Sequence, residues 1–585
     1  MLNVSKKIYL TGVALAFVQS VLIAADAYAS QAQPNSTATQ TLAERPNILL
    51  IVADDMAYTD IAGFGGSEID TPVLTQLGQQ GIRFSRFYAG AQCSTTRAML
   101  MTGVDSHRAG LGTTVGAYSQ PADNQKGKPG YEGYLRDDVL TFSTLLQKAG
   151  YYNVMVGKWH LGASPENRPI NRGFAQTFAM QQNSDHFDDQ LGSFGFGHRD
   201  YWRNGEVVAD LPKDFFSTRS FTDKFISFLE QRDTKQPFFG YLAYTAPHYP
   251  LQAPDDIIDK YKGVYNAGYD VLRKKRIAGH LQSGLVNPNV AHDTARADVT
   301  PWDKLTKTEQ QQSARAMEIY AAMVDDMDQN IGRVFDYLKK NDLYENTLVI
   351  FISDNGAEAA SESRGHAPAL LPKATNLDNS LENMGRRGSV VLYSHTWAAA
   401  GNGLFHEYKF SGAEGGIRVP AIISWPKANI KPRISHGVSS VLDILPTVLD
   451  LAGVEHPADS GESSKFQQPI GKSLLPVLQE RTESVRSNDD YLGFEFWGGR
   501  GIVAGDWKLT GLYNQDTANM EPWQLFNLAT DPGEQRDLAN TNPKQMQRML
   551  AFWEEYVNKS GVILAYPDVP ALRKPVTQTT LKEDK

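Results

Sequence analysis

Four apolar runs of strand length recur along the chain, each ending on polar residues, and this pattern restricts the fold more than any other feature. Asn47 to Ala53 reads NILLIVA and is followed at once by Asp54 and Asp55. TFSTLLQKAG then leads into YYNVMVGKWH, FTDKFISFLEQRD leads through Pro237 into PFFGYLAYTAPH, and ARAMEIYAAMVDDMDQNIGRVFDYLKKNDL leads into TLVIFISDNG. Continuous apolar strands are buried on both faces, and their alternation with helical stretches predicts an α/β fold with a mostly parallel sheet sandwiched by helices. In the last of these helices Met317, Tyr320, Ala321, Val324, Met327 and Ile331 keep three-and-four spacing, so its methionines read as core packing. Ligands of such sheets bind beyond the carboxyl ends of the strands. Asp54, Asp55, Lys158, Trp159, His160, His248, Asp354 and Asn355 all fall there. Singly, each has a plain structural reading: paired acids and Asp-Asn-Gly form turns, and a histidine before Tyr-Pro packs. Their shared placement gathers them into one candidate site.

Further on, RVPAIISWP reads as another strand and VSSVLDILPTVLDLAG as an amphipathic helix closed by Gly453. After the polar stretch from His456 to Lys472 the pattern changes to short strands with turns, RGIVAGDWKLTGLY and WQLFNLATDPGE, and a closing helix in PKQMQRMLAFWEEYVNKSG. The expected organisation is a main α/β domain over 46–470 and a smaller C-terminal subdomain, an antiparallel sheet plus helix, over 471–585. No internal repeat of fixed period stands out.

Ahead of these lie Lys6 and Lys7, an apolar run from Ile8 to Ala25, and the small-x-small triplet Ala27-Tyr28-Ala29. This order predicts a cleavable signal peptide over 1–29, a mature chain starting near Ser30, and a flexible polar arm over 30–45. It implies passage through an export machinery, a periplasmic or secreted location, and no stable membrane anchor. The 57 basic and 66 acidic residues give a formal charge of −9, and no long basic run is present, which argues against nucleic acid as a partner. A small anion can still be met by a locally basic pocket. The single cysteine, Cys93, excludes an intramolecular disulfide.

Cys93 opens CSTTRAMLMTG, where Ser and Thr precede an apolar helical run. The residue therefore sits near a helix N-terminus with Arg97 one turn in, a position that favours anions. A lone exported cysteine can be a small buried hydrophobe or a chemically active group, and composition does not choose.

Cys93-Ser94-Thr95-Thr96-Arg97 followed by Thr102-Gly103 resembles the cysteine motif of the sulfatases, most closely the bacterial arylsulfatases, which share an alkaline-phosphatase-like fold. The strand ending in Asp54-Asp55, G-K-W-H-L-G around Lys158 and His160, A-P-H at His248, S-D-N-G at Asp354-Asn355, and Lys409 ahead of E-G-G-I-R-V-P match the family in order. G-D-W-K-L and L-F-N-L-x-x-D-P-G-E match as well, so the resemblance runs from about Arg45 to Gly561. It departs at Thr95, where the family has Pro or Ala at a position read by the maturation enzyme.

The resemblance implies hydrolysis of sulfate monoesters, an aryl sulfate giving a phenol and sulfate, by the domain over 46–470. It implies that a formylglycine-generating maturase converts Cys93 to formylglycine (3-oxoalanine), and that Ca²⁺ is held by Asp54, Asp55, Asp354, Asn355 and the modified Cys93. The oxygen donors agree independently, since they suit a hard ion, Ca²⁺ or Mg²⁺, and not structural zinc. In the implied mechanism one hydroxyl of the formylglycine hydrate attacks sulfur while Asp354 takes its proton. His160 then deprotonates the other hydroxyl to expel sulfate. Arg97, Lys158 and Lys409 balance sulfuryl charge, and His248 with Lys409 protonates the departing oxygen. The substrate is a small-molecule or carbohydrate sulfate ester, with selectivity expected in segments 117–135, 184–202 and 357–406, where Tyr118, Tyr131, Phe194, Tyr393 and Trp397 are candidate pocket aromatics. Two alternatives stay open at this level: a phosphodiester or phosphonate monoester hydrolase on the same scaffold, and a non-enzymatic carbohydrate-binding relative.

Overall fold

Alternate residues of the first strand, β1 (Asn47–Ala53), enter two different cores. Leu49 and Ile51 join one hydrophobic cluster, whereas Ile48, Leu50 and Val52 join the other, and all five are fully buried. That is the signature of a central strand covered on both faces, and each such side chain contributes roughly 1.5–3 kcal/mol by leaving water. The computed structural model describes residues 45–114, 121–182, 185–188, 191, 200–290, 292, 300–359, 377–459, 465–514 and 519–564. The expected signal peptide, and the arm up to residue 44, lie outside the described residues.

The main sheet has ten strands: β1, β2 (Ile82–Phe84), β3 (Tyr152–Lys158), β4 (Gln176–Met180), β5 (Tyr201–Arg203), β6 (Glu206–Val207), β7 (Phe238–Ala243), β8 (Thr347–Ser353), β9 (Ala421–Ser424) and β10 (Arg433–Ser435). Their order across the sheet is β10-β2-β9-β8-β1-β7-β3-β4-β5-β6. The four apolar runs are therefore the adjacent strands β8, β1, β7 and β3, all parallel. β9, the RVPAIISWP segment, pairs antiparallel with both β8 and β2. The sheet is thus mixed and dominated at its centre by parallel strands, as the alternating pattern predicts.

On one face pack α3 (Ser217–Leu229) and the 34-residue α4 (Lys307–Lys340). α4 begins earlier than its apolar stripe because Thr306 and Glu309 form a reciprocal capping box. The expected stripe, Met317 to Ile331, is fully or almost fully buried. The other face carries α1 (Cys93–Thr102), α2 (Phe142–Lys148) and α5 (Ile444–Ala452). α5 is shorter than the apolar pattern suggested: Ser439–Ser440 pairs with Phe87–Tyr88 as a short strand, and Val441–Asp443 forms a 3₁₀ turn.

Near the C-terminus a separate antiparallel sheet, β11 (Leu492–Phe496), β12 (Gly499–Ala504), β13 (Trp507–Gly511) and β14 (Gln524–Asn527), packs Ile502, Leu509 and Leu525 against Met549, Trp553 and Tyr556 of α6 (Pro543–Ser560). Lys508 on β13 donates to Glu414 at 2.9 Å, and Glu534 accepts from the Glu414 main-chain N–H at 2.7 Å. The motifs G-D-W-K-L, D-P-G-E and E-G-G-I-R thus meet in one buried cluster.

Candidate active site

Every described parallel strand of the apolar set ends by placing a charged or hydrogen-bonding side chain in the same space. β1 supplies Asp54 and Asp55, β3 supplies Lys158 and then His160, β7 runs on to His248, and β8 supplies Asp354 and Asn355. All are buried. Gly157, at φ 109°, sits where a Cβ would lie 1.8 Å from the Ala243 carbonyl, so only glycine allows β3 this approach to β7 beside Lys158. Gly356 does the same job after Asn355, since a Cβ there would lie 1.8 Å from the Gly415 carbonyl on the segment that follows Lys409.

Three cations interleave with the acids. Lys158 Nζ donates to both oxygens of Asp54, at 2.8 and 2.7 Å. Arg97 binds Asp354 Oδ2 through Nε at 3.0 Å and Nη2 at 2.7 Å, and lies 3.8 Å from Asp54. It also donates to the Lys158 carbonyl at 2.8 Å, which holds the guanidinium across the strand ends. Lys409 Nζ donates to Asp55 and to Glu358, each at 2.8 Å. Asn355 Nδ2 donates to Asp55 at 2.6 Å.

Burial lifts the carboxyl groups of Asp55 and Asp354, and neighbouring acids add to the rise against the pull of Lys409 and Arg97 respectively. Burial works against the charged forms of Lys158 and Lys409, yet Asp54 beside the first and Asp55 beside the second raise both ammonium groups on balance. His248 is driven well below its usual range by burial, then by Lys409 and Lys158. Its Nδ1 donates to the Tyr249 carbonyl at 2.6 Å, and its Nε2 lies 3.2 Å from the Asp55 oxygen that Lys409 also holds.

Cys93 opens α1 as the motif predicts, and it is buried. Burial pushes its thiol up to about 12, outweighing Lys158 and Lys409. As a plain thiol it stays protonated near neutral pH. Asp55 and His160 both have positive φ, 67° and 59°, in the left-handed region that Asp and His enter more readily than most residues with a side chain.

The acids fit a hard divalent ion. One ligand atom each from Asp54, Cys93 and Asp354 lie within 4.8 Å of one another, as do those of Asp54, Asp55 and His248. Asn355 Oδ1 is buried with no hydrogen-bond partner, an oxygen that a cation would satisfy.

The structure thus brings together the expected acids, cations, His248 and Cys93, and reaches His160 through Thr114 and Gln92, but it does not gather the expected pocket aromatics. It adds three that went unnoticed. Glu358, three residues beyond Asn355, was readable only as part of a strand-end loop. Gln92 caps α1: its Oε1 accepts from the Ser94 N–H at 2.7 Å, while Nε2 donates to Thr114 at 2.9 Å and approaches Cys93 Sγ at 3.4 Å. Thr114 in turn lies 3.5 Å from His160 Nε2. The pocket aromatics need correction. Tyr118 and Phe194 lie outside the described residues, whereas Tyr131, Tyr393 and Trp397 are packed inside the molecule. Tyr393 stacks on Tyr320 at 4.2 Å, Trp397 donates to the Ser313 carbonyl at 3.0 Å, and Tyr131 bonds Ile563. Each of these rings thus finds partners for its ring or polar tip within the protein itself.

Comparison with known proteins points one way. The family model described as Sulfatase matches residues 46–454, and that described as N-sulphoglucosamine sulphohydrolase, C-terminal matches 403–559. An uncharacterized sulfatase of Schizosaccharomyces pombe is 40% identical over 541 residues, covering 91% of this chain and 97% of its own. An arylsulfatase of Klebsiella aerogenes is 37% identical over 479 residues, covering 81% of this chain and 98% of its own. Among solved structures, Ps i-CgsB in complex with k-i-k-neocarrahexaose superposes with a TM-score of 0.62 at 24% identity, covering 91% of this chain and 94% of the other.

Proposed function

The chain belongs to the sulfatase family, whose members hydrolyse sulfate esters, and from that premise we propose that it is an arylsulfatase that uses Cys93 in its formylglycine form. The observation that carries this reading is the meeting of Cys93, at a helix N-terminus, with Asp54 and Asp354 inside a frame of three buried cations. Asp54, Asp55, Asp354 and Asn355, with an oxygen of the modified Cys93, would hold Ca²⁺, with Mg²⁺ the other hard ion they suit. When bound, such an ion supplies Lewis-acid polarisation of the ester and lowers the pKa of the nucleophile.

The chain's own residues supply the rest. Arg97 and Lys158 are pinned by two hydrogen bonds each to Asp354 and Asp54, so they are preorganised toward the charge that grows on the sulfuryl oxygens. Asp354 takes the proton of the attacking hydroxyl. His160, oriented beside Thr114, takes the proton that releases sulfate in the second step. Lys409 and His248 converge on one oxygen of Asp55 and so address one spot; Lys409 carries the proton for the departing oxygen there, and His248, neutral with its own proton on Nδ1, presents a bare Nε2 that can pass on a proton received from Lys409. The relatives support the aryl sulfate reading through the Klebsiella aerogenes arylsulfatase. A sulfated carbohydrate is the neighbouring possibility within the same reading. The expected leader would place the enzyme in the periplasm or outside the cell.

Mass analysis of the tryptic peptide ending at Arg97 tests conversion of Cys93, and turnover of 4-nitrophenyl sulfate tests the activity. An aldehyde at position 93 together with turnover that Cys93→Ala abolishes is the expected result. Cys93→Ser should be a poor enzyme at best, because a simple alcohol lacks the second hydroxyl that expels sulfate. Full activity with an unmodified thiol would refute the reading.

A further inference from the structure

An anion site that buries an unassigned carboxylate beside its cations calls for an explanation. Among the described residues, the oppositely charged side-chain types joined by ion pairs at the strand ends are the basic Arg97, Lys158 and Lys409 and the acidic Asp54, Asp55, Asp354 and Glu358. Asp54 groups with Asp354 and Cys93 on one side and with Asp55 and His248 on the other, so the three aspartates are the acids suited to a divalent ion. Glu358 stands apart from that trio. Its Oε2 accepts from Lys409 at 2.8 Å and lies 3.9 Å from His248 Nε2, and its Oε1 accepts from the Ala359 N–H at 2.8 Å. It is only 4% exposed, so its charge acts on neighbours with little screening by water or salt.

The charge balance follows from this arrangement. With a divalent ion on the acid trio, three carboxylates, three cations and the ion sum to a double positive charge, and Glu358 reduces it by one. A sulfate monoester brings one negative charge, and a phosphate monoester near neutral pH brings about two. We propose that Glu358 is a specificity-determining residue whose carboxylate matches the site to a singly charged oxyanion and disfavours a doubly charged one. Lys409 carries this effect to the substrate: it shares its charge between Asp55 and Glu358, and an ion that draws on Asp55 leaves Glu358 as its counter-ion. The inference rests on the location of the ester in the proposed sulfatase site and deepens that reading.

Sulfamate and sulfate make the test, because they have nearly the same shape and carry one and two negative charges. Their Kd values are measured by calorimetry on the metal-loaded protein, its Glu358→Gln variant and its Glu358→Asp variant, alongside kcat/KM for 4-nitrophenyl sulfate and 4-nitrophenyl phosphate. Glu358→Gln should shift both ratios toward the doubly charged partner by about tenfold. Glu358→Asp keeps the charge and should keep the parent ratios. Unchanged ratios in the glutamine variant, or an aspartate variant that moves as far as the glutamine one, would overturn the proposal. The expected Kd shifts between parent and variants, with no turnover of the aryl sulfate by the wild-type protein, would sink the arylsulfatase reading and leave Glu358's role standing. Binding of neither anion would overturn both.

Discussion

The proposed leaving-group role of Lys409 and His248 rests on their shared approach to Asp55, and it can be measured. Both approach Asp55 Oδ2, at 2.8 and 3.2 Å, whereas Arg97 and Lys158 are spent on Asp354 and Asp54. A proton donor helps most when the departing oxygen is basic, because an activated phenoxide leaves without assistance. Lys409→Ala and His248→Ala should therefore lower kcat/KM by roughly 100-fold or more for alkyl and sugar sulfates, within the usual range for a general acid, and far less for 4-nitrophenyl sulfate. Asp54→Ala should depress all substrates alike, since metal activation acts on sulfur and nucleophile. The check is the slope of log kcat/KM against leaving-group pKa over a series of aryl sulfates. A slope equal to the parent's in both variants would reduce Lys409 and His248 to binding groups.

At the scale of the element, α1 places Cys93, and its start is set by a residue the sequence does not advertise. Gln92 is not among the preferred cap residues, yet its side chain accepts from two backbone N–H groups at the start of α1 and links across to Thr114. Gln92→Ala should cost about 1 kcal/mol of stability, the usual worth of a cap, read from urea denaturation. A loss within error of zero would show that the first turn of α1 is held by its packing alone. β8 and the segment that carries Lys409 pass closely at Gly356 and Gly415 and are joined by the Gly356 N–H to the Gly416 carbonyl at 3.0 Å and the Lys409 N–H to the Ala357 carbonyl at 3.1 Å.

Over the whole molecule, two ionic arrangements tie stability to solution conditions. The first is the acid trio. Removing the proposed ion leaves Asp54, Asp55 and Asp354 with their mutual repulsion, so exhaustive chelation should lower both activity and Tm. Saturation to about 100 times Kd is worth about 2.7 kcal/mol, and full activity with no bound metal by elemental analysis would refute the assignment. The second is His107, buried between Asp105 at 3.2 Å and Glu495 of β11 at 3.0 Å, with Tyr131 and Tyr556 against its ring. Burial alone would lower it, but the two carboxylates raise it from 6.5 to about 9. A histidine raised on folding stabilises fully below its unfolded value and loses that contribution as pH rises through the folded one. Stability should fall between about pH 6.5 and 9, by on the order of 3 kcal/mol at full loss. Urea titrations at a series of pH values check this, and His107→Gln should remove the fall; its persistence in the variant would assign it to other groups. No helix among the described residues is long and apolar enough to cross a membrane.

The apolar continuity of β1, β3, β7 and β8, the helical spacing of the α4 stripe and the position of Cys93 before a helical run determine the α/β class and the edge at which a site forms. These are local properties, because the period of a strand or helix dictates where each side chain points. Most site residues were legible for the same reason, standing after a readable strand or at the start of a readable helix, whereas Lys409 was named only through the family resemblance. What the pattern could not supply is who meets whom. Asn355 reaches Asp55 across 300 positions and Lys409 across 354, pairings set by strand order and by glycines that let backbones touch. The same holds for Glu358, which became a partner of Lys409 only through the fold, and for Tyr393 and Trp397, whose rings were claimed by the core. A sequence states that a side chain is polar or aromatic, but only the assembled neighbours decide whether its charge is paired and whether its face is covered.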